Sequence, residues 1–275
     1  MRALAEAHRQ RTAGNGTRPD AAAARDRPIA LEDIAAGKEQ SNRAGTFWWI
    51  HRRLAEVCPN ETRLQRDYEA VLRGARQRFD ELAASASLCR VADGGPEDPL
   101  FLDIESSRLN GNCIFLVGLM RFRKGQLVFD QFLARHYGEE PAILAAFAEQ
   151  LAQAGVLVTF NGKAFDMTCL RERAAFHGLD LPAEPVHLDI LHEARRLWRS
   201  LLPDCRLVTL ERWLCRRHRP GDVPSNRVSD AYHRFVTGVD VRAIGAVLHH
   251  NLLDLLTLGQ LLCLLLTGEQ PDVDS

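Results

Sequence analysis

No two of the seven cysteines form a C-x-x-C pair, and their odd number cannot close a complete disulfide framework. A zinc site built on thiolates is therefore not expected. Reduced, buried thiols in a cytoplasmic protein fit better. Basic charge is not in excess either: 35 Lys and Arg face 36 Asp and Glu, a net charge of −1. That balance argues against a generally basic nucleic-acid binder and leaves room for a local basic groove beside an acidic site. The start of the chain, MRALAEAHRQRTAGNGTRPD, has no apolar stretch of the kind a secretory signal needs. The most apolar run, LLDLLTLGQLLCLLLTG, is interrupted by Asp254 and Gln260. It is expected to be too short and polar to span a bilayer and to form a buried core helix.

What is present is a chain 46% hydrophobic and 26% charged, enough for a packed core. Residues 1–28 hold almost no large apolar side chain and are expected to be a disordered tail. An extension over 29–92 follows. TFWWIHRRL reads as a strand, and Leu64, Tyr68, Val71 and Leu72 recur at helical spacing from Glu61 to about Leu88. Arg63, Arg66, Arg73, Arg76 and Arg78 decorate that helix, as a solvated face or as contacts to a nucleic-acid backbone. DGGPEDP then breaks the chain.

The pattern changes after this breaker. LFLDIES, CIFLVGLMRF and QLVFDQF are short strand-like runs separated by turns at Asn110-Gly111-Asn112 and Lys124-Gly125. A helix over 140–154, a buried strand in GVLVTFNG, a helix in FDMTCLRERAAFHG and a fifth strand in VHLDI come next, and the remainder is mostly helical. A meander followed by strand–helix alternation predicts an α/β domain over 98–268, with a mixed five-stranded sheet flanked by helices.

Three places concentrate acidic chemistry. In Asp103-Ile104-Glu105 the alternation of a strand projects both carboxylates from one face. Such a pair repels unless a cation neutralises it, and a hard divalent metal is the natural partner, although edge strands also carry acids. Asp166 follows the strand-ending turn Asn161-Gly162 and opens a helix, where an acid is also favoured for electrostatic reasons alone. Asn161 and Lys163 lie at the carboxyl end of a strand, where open α/β sheets bind ligands. Asp254 is the only acidic side chain of the apolar helix expected from about Val241 to Leu266, and leaving it there unpaired would be costly. At about 100° per residue, His250 lies roughly 40° from the Asp254 direction and His249 roughly 140°. A continuous helix therefore puts His250 on the face of the acid.

The series DIESS, NGKAFD and HNLLD resembles the DEDD (DnaQ-like) 3′–5′ exonuclease superfamily of the ribonuclease H-like fold. More narrowly, it is similar to the YprB-type ribonuclease H-like proteins, through FLVGL, HLDILHEARRLW, DCRLVTLER and DVPS over roughly residues 98–266. The resemblance implies that Asp103, Glu105, Asp166 and Asp254 hold two Mg²⁺ or Mn²⁺ ions. For the general base it offers His249, at the five-residue spacing of the histidine branch, and His250, at the four-residue spacing of the tyrosine branch, with the YprB-type pattern favouring His250. It also implies that Ser106, Asn161, Lys163 and Phe165 contact a nucleic-acid end, single-stranded DNA or RNA. Asp189 matches a family acid and is read as structural rather than as a ligand. Ser106-Ser107-Arg108-Leu109 stand where the family usually has Thr-Thr-Gly-Leu, a departure that bears on substrate preference. The alternative is a catalytically silent module of the same fold that binds nucleic acid or a partner.

Overall fold

The computed structural model describes residues 30–58, 62–79, 84–107, 112–219 and 221–268. The expected tail, the turn at Asn110-Gly111 and the departure at Arg108 lie outside these residues, as do the side chains of Arg63 and Arg78.

The three meander strands are β3 (Pro99–Ser107), β4 (Cys113–Arg123) and β5 (Gln126–Leu133), and the two later ones are β6 (Val156–Thr159) and β7 (Val186–Asp189). Two more precede them, β1 (Lys38–Asn42) and β2 (Gly45–Arg53). Together they form one sheet in the order β1-β2-β5-β4-β3-β6-β7. β3 pairs antiparallel with β4 and parallel with β6, and β6 is parallel to β7. The sheet thus has seven strands rather than the expected five. β2 pairs antiparallel with β5 and covers an edge that would otherwise lie open. β1 carries no apolar alternation: its residues, Lys-Glu-Gln-Ser-Asn, are exposed or half-buried on the outer edge. Periodicity could not have found it.

Helices cover both faces. The spacing from Glu61 to about Leu88 resolves into α3 (Thr62–Phe79) and α4 (Ala86–Asp93), after the short α1 (Leu31–Ile34) and α2 (Leu54–Val57). Ser85 starts the second of these, its hydroxyl accepting from the Leu88 amide at 3.2 Å. Arg73 pairs with Glu69, and Arg76 with Asp93. α5 (Glu140–Leu151), α6 (Asp166–Phe176), α7 (Ile190–Trp198), α8 (Leu207–Leu214) and α9 (Val228–Val236) lead to α10 (Val241–Thr267). Asp240 caps this last helix at its start, and Gly268, with φ 68°, ends it.

At 27 residues α10 is long and apolar enough to cross a membrane by length and composition, so the expectation that it is too short does not hold. Yet 67% of its most apolar stretch is buried inside the fold. Its Leu252, Leu255, Leu256 and Leu262 share one core with Tyr68 and Leu72 of α3 and with Phe101, Met120 and Phe122 of the sheet. The amino-terminal extension therefore completes the hydrophobic layer that holds α10 in place.

Candidate metal centre and its histidine

Asp103 and Glu105 sit two apart on β3, both half-buried, while Ile104 between them packs into the opposite core. The β3–β4 register shifts between Glu105 and Ser106, an irregularity of the kind that re-aims side chains beside active sites. Directly across from Asp103 lies Gly118. A Cβ there would come within 2.1 Å of the Asn251 side chain. The missing side chain lets Asn251 reach in from α10. Its amide donates to the Asp103 carbonyl at 3.1 Å and to the Asp103 carboxylate at 2.7 Å, and its oxygen accepts from Gln131 at 2.8 Å.

β6 runs parallel beside β3, so its exit delivers Asp166 to the same end of the sheet. The turn between them is pinned by buried Asp189. Its carboxylate accepts from the amides of Asn161 at 2.7 Å, Lys163 at 3.2 Å and Leu191 at 3.1 Å. Asn161 takes a left-handed φ of 61°, which asparagine tolerates. Asp166 then opens α6 and accepts from the Ile104 amide at 3.3 Å.

α10 brings the fourth acid. His250 and Asp254 are one turn apart on the continuous helix, with His250 Nε2 3.4 Å from the Asp254 carboxylate. His250 Nδ1 lies 2.9 Å from both oxygens of Asp222. His249 points elsewhere, into a separate cleft. Asp254 is not unpaired: Arg219 Nη1 donates to it at 2.6 Å, and the same guanidinium meets Glu211 at 2.6 Å.

An RNase H superfamily profile matches residues 100–266. The chain belongs to the RNase H superfamily. It is also 34% identical over 163 residues to the uncharacterized protein YprB of Bacillus subtilis (strain 168), a match covering 58% of this chain. The chain spans only 39% of that relative's length.

In this RNase H-like domain the acids are electrostatically one group. Burial holds Asp103 well above the usual carboxylate range, and Asp254, Glu105 and Asp166 push it further against the Asn251 hydrogen bond. Glu105 is raised by burial and then by Asp254, Asp166 and Asp222. Asp166 is pushed up to about 6 by burial, with Asp189 and Asp254 adding, against the Ile104 amide. Burial raises Asp254 as well, opposed by His250 and Arg219.

Among the described residues no lysine or arginine pairs with Asp103, Glu105 or Asp166. No three acidic, histidine or cysteine side chains there converge on a single ion-sized point as they stand, with Asp254 turned toward Arg219 and His250. The donor set itself is hard carboxylate oxygen, and its uncompensated charge is the kind that Mg²⁺ or Mn²⁺ neutralises. RNase H-like nucleases use divalent metals, and these residues fit them chemically.

Beside Asp166 opens a cleft of about 500 Å³ lined by Ile104, Ser106, Asn112, Phe165 and Glu172, among others. Phe165 is 66% exposed there. Asn161 and Lys163 do not line this cleft. They enter the site through their backbone amides on Asp189. Arg219, Asp222, Glu211 and Asn251 had no role in the sequence reading. The only signals were Asp222 and Glu211 inside matched motifs and Asn251 between His250 and Asp254.

Proposed function

We propose that the chain is a metal-dependent 3′–5′ exonuclease of the DEDD type, hydrolysing phosphodiester bonds at single-stranded nucleic-acid ends. The observation that carries this reading is the group of four half-buried carboxylates from β3, α6 and α10 beside an oriented histidine. Asp103, Glu105, Asp166 and Asp254 would hold two Mg²⁺ or Mn²⁺ ions. When bound, such ions activate water and stabilise the departing 3′ oxygen.

The chain's own groups do the positioning. Asp222 accepts the Nδ1 proton of His250, which fixes the tautomer and leaves Nε2 to take a proton from the attacking water. Asn251 locks the Asp103 carboxylate in one orientation. Ser106 and the exposed Phe165 ring would receive the terminal nucleotides, the ring by stacking. Asn161 and Lys163 would act from the neighbouring turn. We take 98–268 as the exonuclease unit, 29–92 as an extension of its sheet and core, and the cytoplasm as its setting, on the odd cysteine count.

The silent-module alternative draws on one observation, the Arg219 guanidinium already seated on Asp254. Digestion of 5′-labelled single-stranded DNA and RNA with Mg²⁺ or Mn²⁺ separates the two. A ladder shortening from the 3′ end, lost in Asp254→Ala, is expected. Folded protein that degrades no strand with either metal would overturn the exonuclease reading.

A further inference from the structure

A second cleft, of about 400 Å³, lies on the flank of α10 that faces the amino-terminal extension. It is lined by Arg52, Arg242 and His249, with Ile34, Gly245 and Leu248 as its apolar floor. It shares no lining residue with the cleft at Phe165. Arg52 comes from the end of β2. Arg242 and His249, seven residues apart on α10, fall on one side of the helix.

Most cationic side chains in the core of this protein are matched to an acid: Arg135 to Glu139, Arg173 to Glu140, Arg217 and Arg219 to Glu211. Half-buried Arg52 and exposed Arg242 are different. Among the described residues neither has a carboxylate partner, and both border the same small volume. Two guanidinium groups held around one cavity repel each other, and a shared anion relieves that repulsion. The acid whose charge bears on His249 is Asp222, which is already engaged by His250 and Arg219. His249 lies within reach of the charges of Asp222, Arg219 and His250, so the cleft adjoins the histidine side of the acidic centre.

We propose that Arg52, Arg242 and His249 form a phosphate-binding cleft that holds the backbone of a single-stranded nucleic acid beyond the cleavage point, with the amino-terminal hairpin supplying one wall. The inference rests on the exonuclease reading for the identity of its ligand and extends it to a site outside the carboxylates. The guanidinium forks suit phosphate oxygens, the His249 ring adds an N–H donor, and the apolar floor suits sugar edges. Free phosphate shares this chemistry. What favours a strand is a second, independent cleft adjoining the acidic centre.

The test is equilibrium binding of fluorescein-labelled oligonucleotides by the full chain in EDTA, so that no hydrolysis intervenes. Wild type and Arg52→Gln/Arg242→Gln are compared across salt concentrations. The double substitution is expected to weaken binding of a strand of about twenty nucleotides roughly tenfold and to make the salt slope shallower by about 1.4, at about 0.7 per lost phosphate contact. Both side chains reach the surface, and the single Arg242→Gln on the exposed side of α10 gives a smaller change of the same sign. Unchanged affinity, or a loss with an unchanged salt slope, would overturn the cleft. So would inorganic phosphate binding as tightly as the strand, because that would make the cleft a site for the free ion.

The outcomes separate from those of the exonuclease reading. Wild type that cleaves nothing yet loses strand binding on substitution keeps the cleft and removes the nuclease. Wild type that shortens strands while the substitution changes nothing does the reverse.

Discussion

Two pairs of desolvated acids in this protein have opposite fates. Glu139 and Glu140, at the start of α5, are 3% and 1% exposed. Burial alone would push both up, but hydrogen bonds from Arg135 to Glu139, and from Arg173 and His177 to Glu140, carry them below the usual range. The Ile114 amide adds a further bond to Glu140 at 2.7 Å. Asp103 and Glu105, half-buried, are desolvated with no guanidinium on them, and both are pushed well up. On Glu139 and Glu140 the arginines supply the compensating charge. On Asp103 and Glu105 no arginine does, and a cation would.

The sharpest way to break this contrast is to neutralise one acid of each kind. Asp103→Asn is expected to lower hydrolysis by about 10³-fold or more, because a ligand of the reacting centre is lost. Its melting temperature in EDTA should match or exceed wild type, since a repulsion is removed. Glu140→Gln should do the opposite, destabilising by about 1–3 kcal/mol because half-buried Arg173 loses its charge partner. Denaturant melts and single-turnover assays on the folded protein read the two effects.

Metal addition sharpens the comparison further. Mn²⁺ or Mg²⁺ at a hundred times its dissociation constant should stabilise wild type by about 2.7 kcal/mol. The shift should vanish in Asp103→Asn and persist in Glu140→Gln, and an equal shift in all three would place the ion elsewhere. The smallest effect is in pH. Asp166 holds its proton more tightly folded than unfolded, so the folded state binds more protons between the ordinary 3.8 and about 6. In EDTA that group makes stability fall as pH rises through this window. Asp166→Asn should flatten this component, and a wild-type profile that the substitution leaves unchanged would refute the assignment.

Much of this layout was legible in the chain. Short apolar runs bounded by turns marked β3 to β5, and helical periodicity marked α3. The 100° step correctly separated His250 from His249. β1 was invisible because an edge strand needs no apolar face. Asp254 read as an acid without a partner because Arg219 lies 35 residues away, on a segment that no periodicity connects to α10. Asp222 and Asn251 share this difficulty. An aspartate in a loop and an amide in an apolar helix gain meaning only from what folding sets beside them. Glu139-Glu140 and Asp103-x-Glu105 are both close pairs of acids in the chain. Arg135, four residues before Glu139, is a local partner, but Arg173 reaches Glu140 only through the tertiary fold.

The continuity of α10 has a consequence for how this protein can vary. Between Arg242 and Asp254 one unbroken helix carries Arg242 and His249 toward one cleft, His250 toward Asp222, Asn251 toward Asp103, and Asp254 toward Arg219. Inserting or deleting one residue there would turn everything on one side of the change by about 100° and shift it by about 1.5 Å. No local adjustment restores five appointments at once. Loops elsewhere can lengthen or shorten, but this stretch is a fixed reading frame in space, in which substitutions are open to trial and changes of length are not.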